Sequence, residues 1–347
     1  MKLMKTTEAV GQVLCHDITQ IIPGVKKDAV FRKGHIITKE DIPVLLSVGK
    51  DTIYIWENDD TMMHENEAAQ VLYSMCACGI ASKMHPSSVK EGKIEVIADC
   101  DGLLKVDSEK LKKVNSFGEM MIATRHGNTT VKKDDKLAGT RIIPLVIKKD
   151  KLDAASHICD DGPILDIKPF VVRKAAIITT GNEVYHGRIQ DAFTPVIEKK
   201  IAEFGVQMMF HEVFDDDEKK ITDGCLRAIE AGAEIVFCTG GMSVDPDDKT
   251  PLAIKNTGAR IVSYGSPVLP GAMFLLSYYD AGDRLVPICG LPGCAMYNKR
   301  TIFDIVLPRL MARDMILADE LAGLGEGGLC LNCDVCTFPN CGFGKGF

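Results

Sequence analysis

The chain has 347 residues, with 41 Lys and Arg against 48 Asp and Glu, a net charge of −7, 46% hydrophobic and 26% charged residues. These are the proportions of a folded globular protein with room for two or three cores, and they exclude a disordered chain. A mildly acidic total also argues against nucleic acid as the main partner, because neutralising phosphates needs a basic surface.

The opening residues 1–8 carry no apolar h-region, and the longest apolar runs, such as 142–147, are only strand-length. A cytoplasmic protein with no membrane span is therefore expected. The 13 cysteines are odd in number, and in a reducing compartment a disulfide framework is not expected. Most sit singly in apolar segments and read as small hydrophobes. The eight histidines show no ligand spacing, and Trp56, Met208 and Met209 read as packing residues.

Residues 1–90 read as a mixed α/β region. A strand-like stretch over 10–22 reaches a turn at Pro23-Gly24, a helix spans 39–48 and is capped by Gly49, and a strand covers 52–56. The acidic run 57–60 reads as the start of a helix whose apolar face carries Ala68, Val71, Leu72 and Met75. Residues 91–170 read as a small β-rich module and connector, with strands near 94–98, 103–106 and 129–131 separated by Asp-Gly and Gly-Asn turns.

From 171 to 315 the pattern becomes α/β. Strands over 175–180, 206–213, 235–238, 261–264 and 285–289 alternate with helices after Pro195, after Asp217, near Thr250 and over 296–310. This spacing implies a mostly parallel sheet covered on both faces, and ligands in such sheets bind beyond the carboxyl ends of the strands. Three strands end in turns suited to that role: Thr180-Gly181-Asn182-Glu183, Thr239-Gly240-Gly241-Met242-Ser243 running on to Asp248, and Gly290-Leu291-Pro292-Gly293. Glycine with Ser or Thr lets backbone N–H groups approach a phosphate. The acids Glu183, Asp217 and Asp248 make sense beside a phosphate if they hold Mg²⁺, which needs only one or two carboxylates plus phosphate oxygens. Asp215 and Asp216 read as helix caps. No Gly-Lys-Ser/Thr element of a P-loop is present.

Together these residues resemble the molybdopterin-binding domain shared by molybdopterin adenylyltransferases and molybdopterin molybdenumtransferases. The resemblance rests on 180–184, Gly187-Arg188-Ile189 with Asp191, 216–218, the Gly-Gly loop reaching Asp248, Pro270-Gly271, and 290–293 leading to Leu307-Pro308. It implies a three-layer α/β domain that binds molybdopterin, or its adenylylated form, through Thr180, Gly181, Gly240, Gly241, Ser243, Pro270, Gly271, Gly290, Pro292 and Gly293. It also implies catalytic roles for Glu183, Asp217 and Asp248, with Asp217 and Asp248 as Mg²⁺ ligands. The reaction implied is Mg²⁺-dependent insertion of molybdate into adenylylated molybdopterin, and dimerisation is expected from the family alone.

The departures are specific. Leu269 and Ala272 stand where the transferases carry lysines, Cys294-Ala295 replaces an Asn and a Pro, and the Met-Asp-Gly loop of the first transferase domain is not found. The residues after Leu310 are too few for the small C-terminal β domain of the transferases. Two rival readings therefore stand: a carrier delivering molybdopterin to a molybdenum enzyme, and an adenylyltransferase suggested by 248–251.

Residues 316–347 form a Gly- and Cys-rich tail with Cys330-x2-Cys333-x2-Cys336-x4-Cys341. The first three follow the spacing of bacterial iron–sulfur ferredoxins, while a zinc Cys₄ site would use the same thiolates. Either metal, or a flexible reduced tail, fits the sequence.

Overall fold

The computed structural model describes residues 2–22, 26–55, 59–78, 83–246 and 248–346. The chain divides into two compact units, Met1–Asp99 with Val106–Arg125 and Lys133–Asp166, and Cys100–Lys105 with His126–Lys132 and Ile167–Phe347. The regions expected as 1–90 and 91–170 thus fall largely within the first unit, and 171–315 and the tail within the second. The Pro23-Gly24 turn and Trp56 lie outside the described residues.

In the first unit, a four-stranded antiparallel sheet runs in the order Met84–Pro86, Lys93–Ala98, Lys136–Ile142, Met120–Thr124. The helix Glu65–Cys76 buries Ala68, Ala69, Leu72, Met75 and Cys76. It starts at Glu65 with His64 as its cap, not at the acidic run 57–60, because a short strand, Met62–His64, intervenes. A helix over Ser108–Asn115, capped by Asp107, was not anticipated between the strands. A separate apolar cluster gathers Leu14, Ile18, Ile37, Leu45 and Ile53 around the helix Asp41–Ser47.

The second unit is built on a six-stranded sheet. Its strands are β1 (Lys174–Thr180), β2 (Gln207–Phe214), β3 (Ile235–Thr239), β4 (Arg260–Tyr264), β5 (Leu275–Asp280) and β6 (Leu285–Leu291), in the order β2-β1-β3-β6-β5-β4. The first four in that order are parallel, whereas β5 runs antiparallel to both β4 and β6. The alternation within β1 decides the layering. Ala175 and Ile177 face a core shared with helices α2 (Phe193–Ala202) and α5 (Ile302–Met311) through Ile197, Ile201, Phe303 and Val306. Ala176 and Ile178 face the opposite core, with α3 (Glu218–Glu230) and α4 (Thr250–Asn256) contributing Ile221, Cys225, Ala253 and Ile254. The result is the expected three-layer α/β domain with a mostly parallel sheet.

Several local expectations are corrected. Strand β5 was not anticipated, nor were the short helices α1 (Asn182–Tyr185) and α6 (Ala318–Gly323). Met296 does not belong to α5, which begins at Ile302 behind a capping box formed by Thr301 and Asp304. No helix among the described residues is long and apolar enough to cross a membrane.

Candidate functional site

Strands β1, β3 and β6 deliver three turns to the carboxyl edge of the sheet. The first two pack together because the second is glycine. A Cβ at Gly240 would lie 2.1 Å from the Thr180 carbonyl oxygen, and one at Gly241 would lie 2.9 Å from the Thr250 hydroxyl. Both glycines have left-handed backbones, φ +83° and +53°. The Thr180 and Thr250 hydroxyls are themselves bonded at 3.0 Å, closing this contact from the far side. In β6, Gly290 leaves room for the Met242 thioether, which a Cβ would meet at 2.4 Å.

A cleft of about 610 Å³ opens above these turns. Its walls come from Gly240, Gly241, Ser243, Asp245 and Asp248 after β3, from 269–273 before β5, and from Leu291, Pro292, Gly293 and Cys294 after β6, with Tyr297 and Asn298 beyond. Among the described residues lining it, none is Lys, Arg or His. The polar content is two carboxylates, a serine, an asparagine, a tyrosine and the backbone. Asp248 is tied to its own loop, accepting from the Asp245 N–H at 3.3 Å, while the Tyr264 hydroxyl donates to the Met242 carbonyl at 2.9 Å and braces the turn.

Of the residues singled out from sequence, the structure gathers Gly240, Gly241, Ser243, Asp248, Pro270, Gly271, Pro292 and Gly293 on this one cleft. Thr180, Gly181 and Gly290 support the turns without lining it. Glu183 and Asp217 also stand outside the lining. The Asp217 carboxylate accepts from the Lys220 N–H at 3.0 Å as the N-cap of α3, the role expected of its neighbours. Asp216 instead accepts from the Asn182 N–H at 3.1 Å, and Asp215 pairs with Lys220 at 2.7 Å. Glu183 folds back over Gly181, where a Cβ would meet its carboxylate at 2.8 Å. Asp245, Tyr297 and Asn298 line the cleft and were not singled out, although Asp245 lies within a loop that was.

Asp191 organises the neighbouring edge. It accepts from the Thr179 and Thr194 hydroxyls and from the backbone N–H groups of Phe193 and Thr194, which begin α2. Burial alone would raise its carboxyl pKa, but these hydrogen bonds outweigh burial and hold it below the usual range. Burial pushes the Cys294 thiol up, against a backbone hydrogen bond, so its place on the cleft does not make it a ready nucleophile.

Behind the cleft, the tail is folded onto the domain. Phe343 is buried in the α2/α5 core, with Cys330, Phe338 and Cys341 packed against it. The four tail cysteines are not drawn into a mononuclear ligand set: among the described residues, no three His, Cys, Asp or Glu side chains are gathered closely enough to hold one ion.

Residues 176–312 match the family described as probable molybdopterin binding domain, and 3–57 match a domain of unknown function. A Bacillus velezensis protein whose name calls it competence-damage inducible is 30% identical over 90 residues, covering 26% of this chain and 21% of that protein. A molybdopterin molybdenumtransferase of Staphylococcus epidermidis is 28% identical over 146 residues, covering 38% of this chain and 34% of that enzyme. The chain thus spans between about a fifth and a third of these two relatives. Among solved structures, the tungsten cofactor synthesizing protein MoaB of Pyrococcus furiosus aligns with a TM-score of 0.31 at 18% identity, over 41% of this chain and 89% of that one.

Proposed function

Starting from a chain whose residues 176–312 belong to the molybdopterin-binding domain family, we propose that the cleft binds the phosphate end of molybdopterin or its adenylylated form together with Mg²⁺, and serves molybdate insertion. The observation that carries this reading is the lining: glycine-rich turns and two carboxylates, with no cationic side chain among its described residues. An anionic phosphate beside Asp245 and Asp248 is repelled unless a cation intervenes, by about 4 kcal/mol per unit-charge pair at 4 Å and an effective dielectric of 20. Mg²⁺ suits this donor set, since it binds through one or two carboxylates plus phosphate oxygens. Asp248 and Asp245 would hold it, and it would offset charge at the transferred phosphoryl group.

The chain's own residues supply the rest. Gly240 and Gly241 carry no side chain of their own, so a phosphate could approach the backbone N–H groups of this turn. Gly293 is informative in a different way. A Cβ there would meet nothing within 4 Å and its φ is not left-handed, so the fold itself does not require glycine. Close approach of a ligand is the use that remains. Pro292 and Pro270 stiffen the two facing walls.

A second reading, a non-catalytic molybdopterin carrier, is favoured by one observation. Leu269 and Ala272 occupy cleft positions where the resembling transferases carry lysines. Incubation with adenylylated molybdopterin, Mg²⁺ and molybdate separates the two. Molybdate-dependent AMP release supports insertion; tight binding without release replaces it by the carrier. AMP transfer from ATP would instead establish the adenylyltransferase reading.

A further inference from the structure

We infer that Cys330, Cys333, Cys336 and Cys341 hold an iron–sulfur cluster of the [4Fe–4S] class against the back wall of the cleft. The inference does not depend on what the cleft binds. All four thiols line a single concavity of about 230 Å³, separate from the cleft, whose described lining contains no carboxylate and no imidazole. Sulfur is the soft donor that selects zinc or iron–sulfur clusters, and no harder ligand competes here.

The scaffold around the thiols is built. The Leu269 N–H donates to the Gly328 carbonyl at 2.8 Å, and the Cys330 N–H donates back to the Leu269 carbonyl at 2.8 Å. On the other side, the Gly344 N–H donates to the Gly327 carbonyl at 3.0 Å, and a Cβ at Gly344 would strike Ile305 at 2.7 Å. A left-handed backbone at Asn332, φ +56°, turns the chain between the first two cysteines. These restraints hold Cys330 and Cys341 half-buried while Cys333 and Cys336 face outward.

Spacing chooses between the two soft-metal solutions. Zn–S bonds of about 2.3 Å put tetrahedral sulfurs about 3.8 Å apart. A zinc ion would therefore need all four thiols drawn to a single point of the concavity they share. A cluster gives each thiolate its own iron and so tolerates wider separation, and the Cys-x2-Cys-x2-Cys run has that class's spacing. A four-thiolate [4Fe–4S]²⁺ centre carries two negative charges. Two cations line the same concavity: Arg300, which also bonds the Asp304 carboxylate at 2.9 Å and lies 5.1 Å from the Phe338 ring centroid, and Lys299, which donates to the Asp334 carbonyl at 3.2 Å. Lys299 and Arg300 directly follow Tyr297 and Asn298 of the cleft wall, and Cys330 is bonded to Leu269 of the same wall. The cluster would thus sit one residue removed from the cleft on two chain segments.

The test is metal and sulfide analysis of the full chain purified without oxygen, and again after reconstitution with ferrous iron and sulfide. The expected result is about four iron and four acid-labile sulfide per chain, with broad visible charge-transfer absorption. Both are lost in Cys333→Ser and Cys336→Ser and kept in Cys78→Ser. The two target cysteines are exposed, so their replacement removes no core packing. One zinc per chain without sulfide would overturn the assignment. So would iron binding that survives both substitutions, or failure to take up iron and sulfide on reconstitution.

Discussion

Gly240 lies so close to Thr180 that a Cβ on it would sit 2.1 Å from the Thr180 carbonyl oxygen. This contact joins the turns after β1 and β3 and sets the floor of the cleft. Its backbone is also left-handed, so an L side chain there adds strain of about 1–3 kcal/mol before the clash is counted. Gly240→Ala is expected to lower the melting temperature measurably and to abolish ligand binding together with it.

Gly293→Ala should behave differently. The space is open and the backbone ordinary, so thermal stability should stay within about 0.5 kcal/mol of the parent. Ligand affinity should nevertheless fall, because a methyl group now projects where the phosphate approaches. Equal affinity in calorimetric titration would remove Gly293 from the site.

Leu269→Lys with Ala272→Lys restores positive charge to the wall facing Asp248. We expect tighter binding of the anionic ligand and a weaker dependence on Mg²⁺, since the lysines offset charge that the metal otherwise must. Titrations at several Mg²⁺ concentrations read both effects, and an unchanged Mg²⁺ dependence would place the metal elsewhere.

Asp314 provides a pH prediction remote from the cleft. Burial would raise its pKa, but hydrogen bonds from Lys168 and Lys105 and the charge of Arg309 outweigh burial and hold it at about 2. Because the folded pKa is depressed, the stabilisation is present above the ordinary aspartate range and is lost as pH falls from about 4 to about 2. Its size at neutral pH is about 2 kcal/mol, from 1.36 kcal/mol per pKa unit. Asp314→Asn should lose that amount at pH 7 in denaturant unfolding and should flatten the acid limb of the profile.

The legible parts of the fold were those where an apolar run ends in glycine. Strands β1, β3 and β6 and their turns follow that rule, and the resemblance added Pro270-Gly271, so most of the cleft's glycines and prolines could be named beforehand. Strand β5 escaped because Leu275, Leu276, Ser277 and Tyr278 are all buried, leaving no alternation to read, and no helix precedes it. The short Ala281-Gly282-Asp283 turn into β6 was the available signal. Asp217 shows the opposite problem: a helix cap and a metal ligand call for the same carboxylate after a strand, and only geometry separates them. The tail's glycines left a flexible segment open beside a metal site, and Phe338 and Phe343 anchor it to the α2/α5 core. Its four thiols come to line one concavity through folding, which spacing alone does not report.

The most direct test of the central claim is anaerobic titration of molybdopterin into the parent chain and into Asp248→Asn, each with Mg²⁺ and with a chelator. The account predicts tight binding by the parent only with Mg²⁺, and at least a tenfold loss, about 1.4 kcal/mol, when either Mg²⁺ or the Asp248 carboxylate is removed. Binding that ignores both would contradict it.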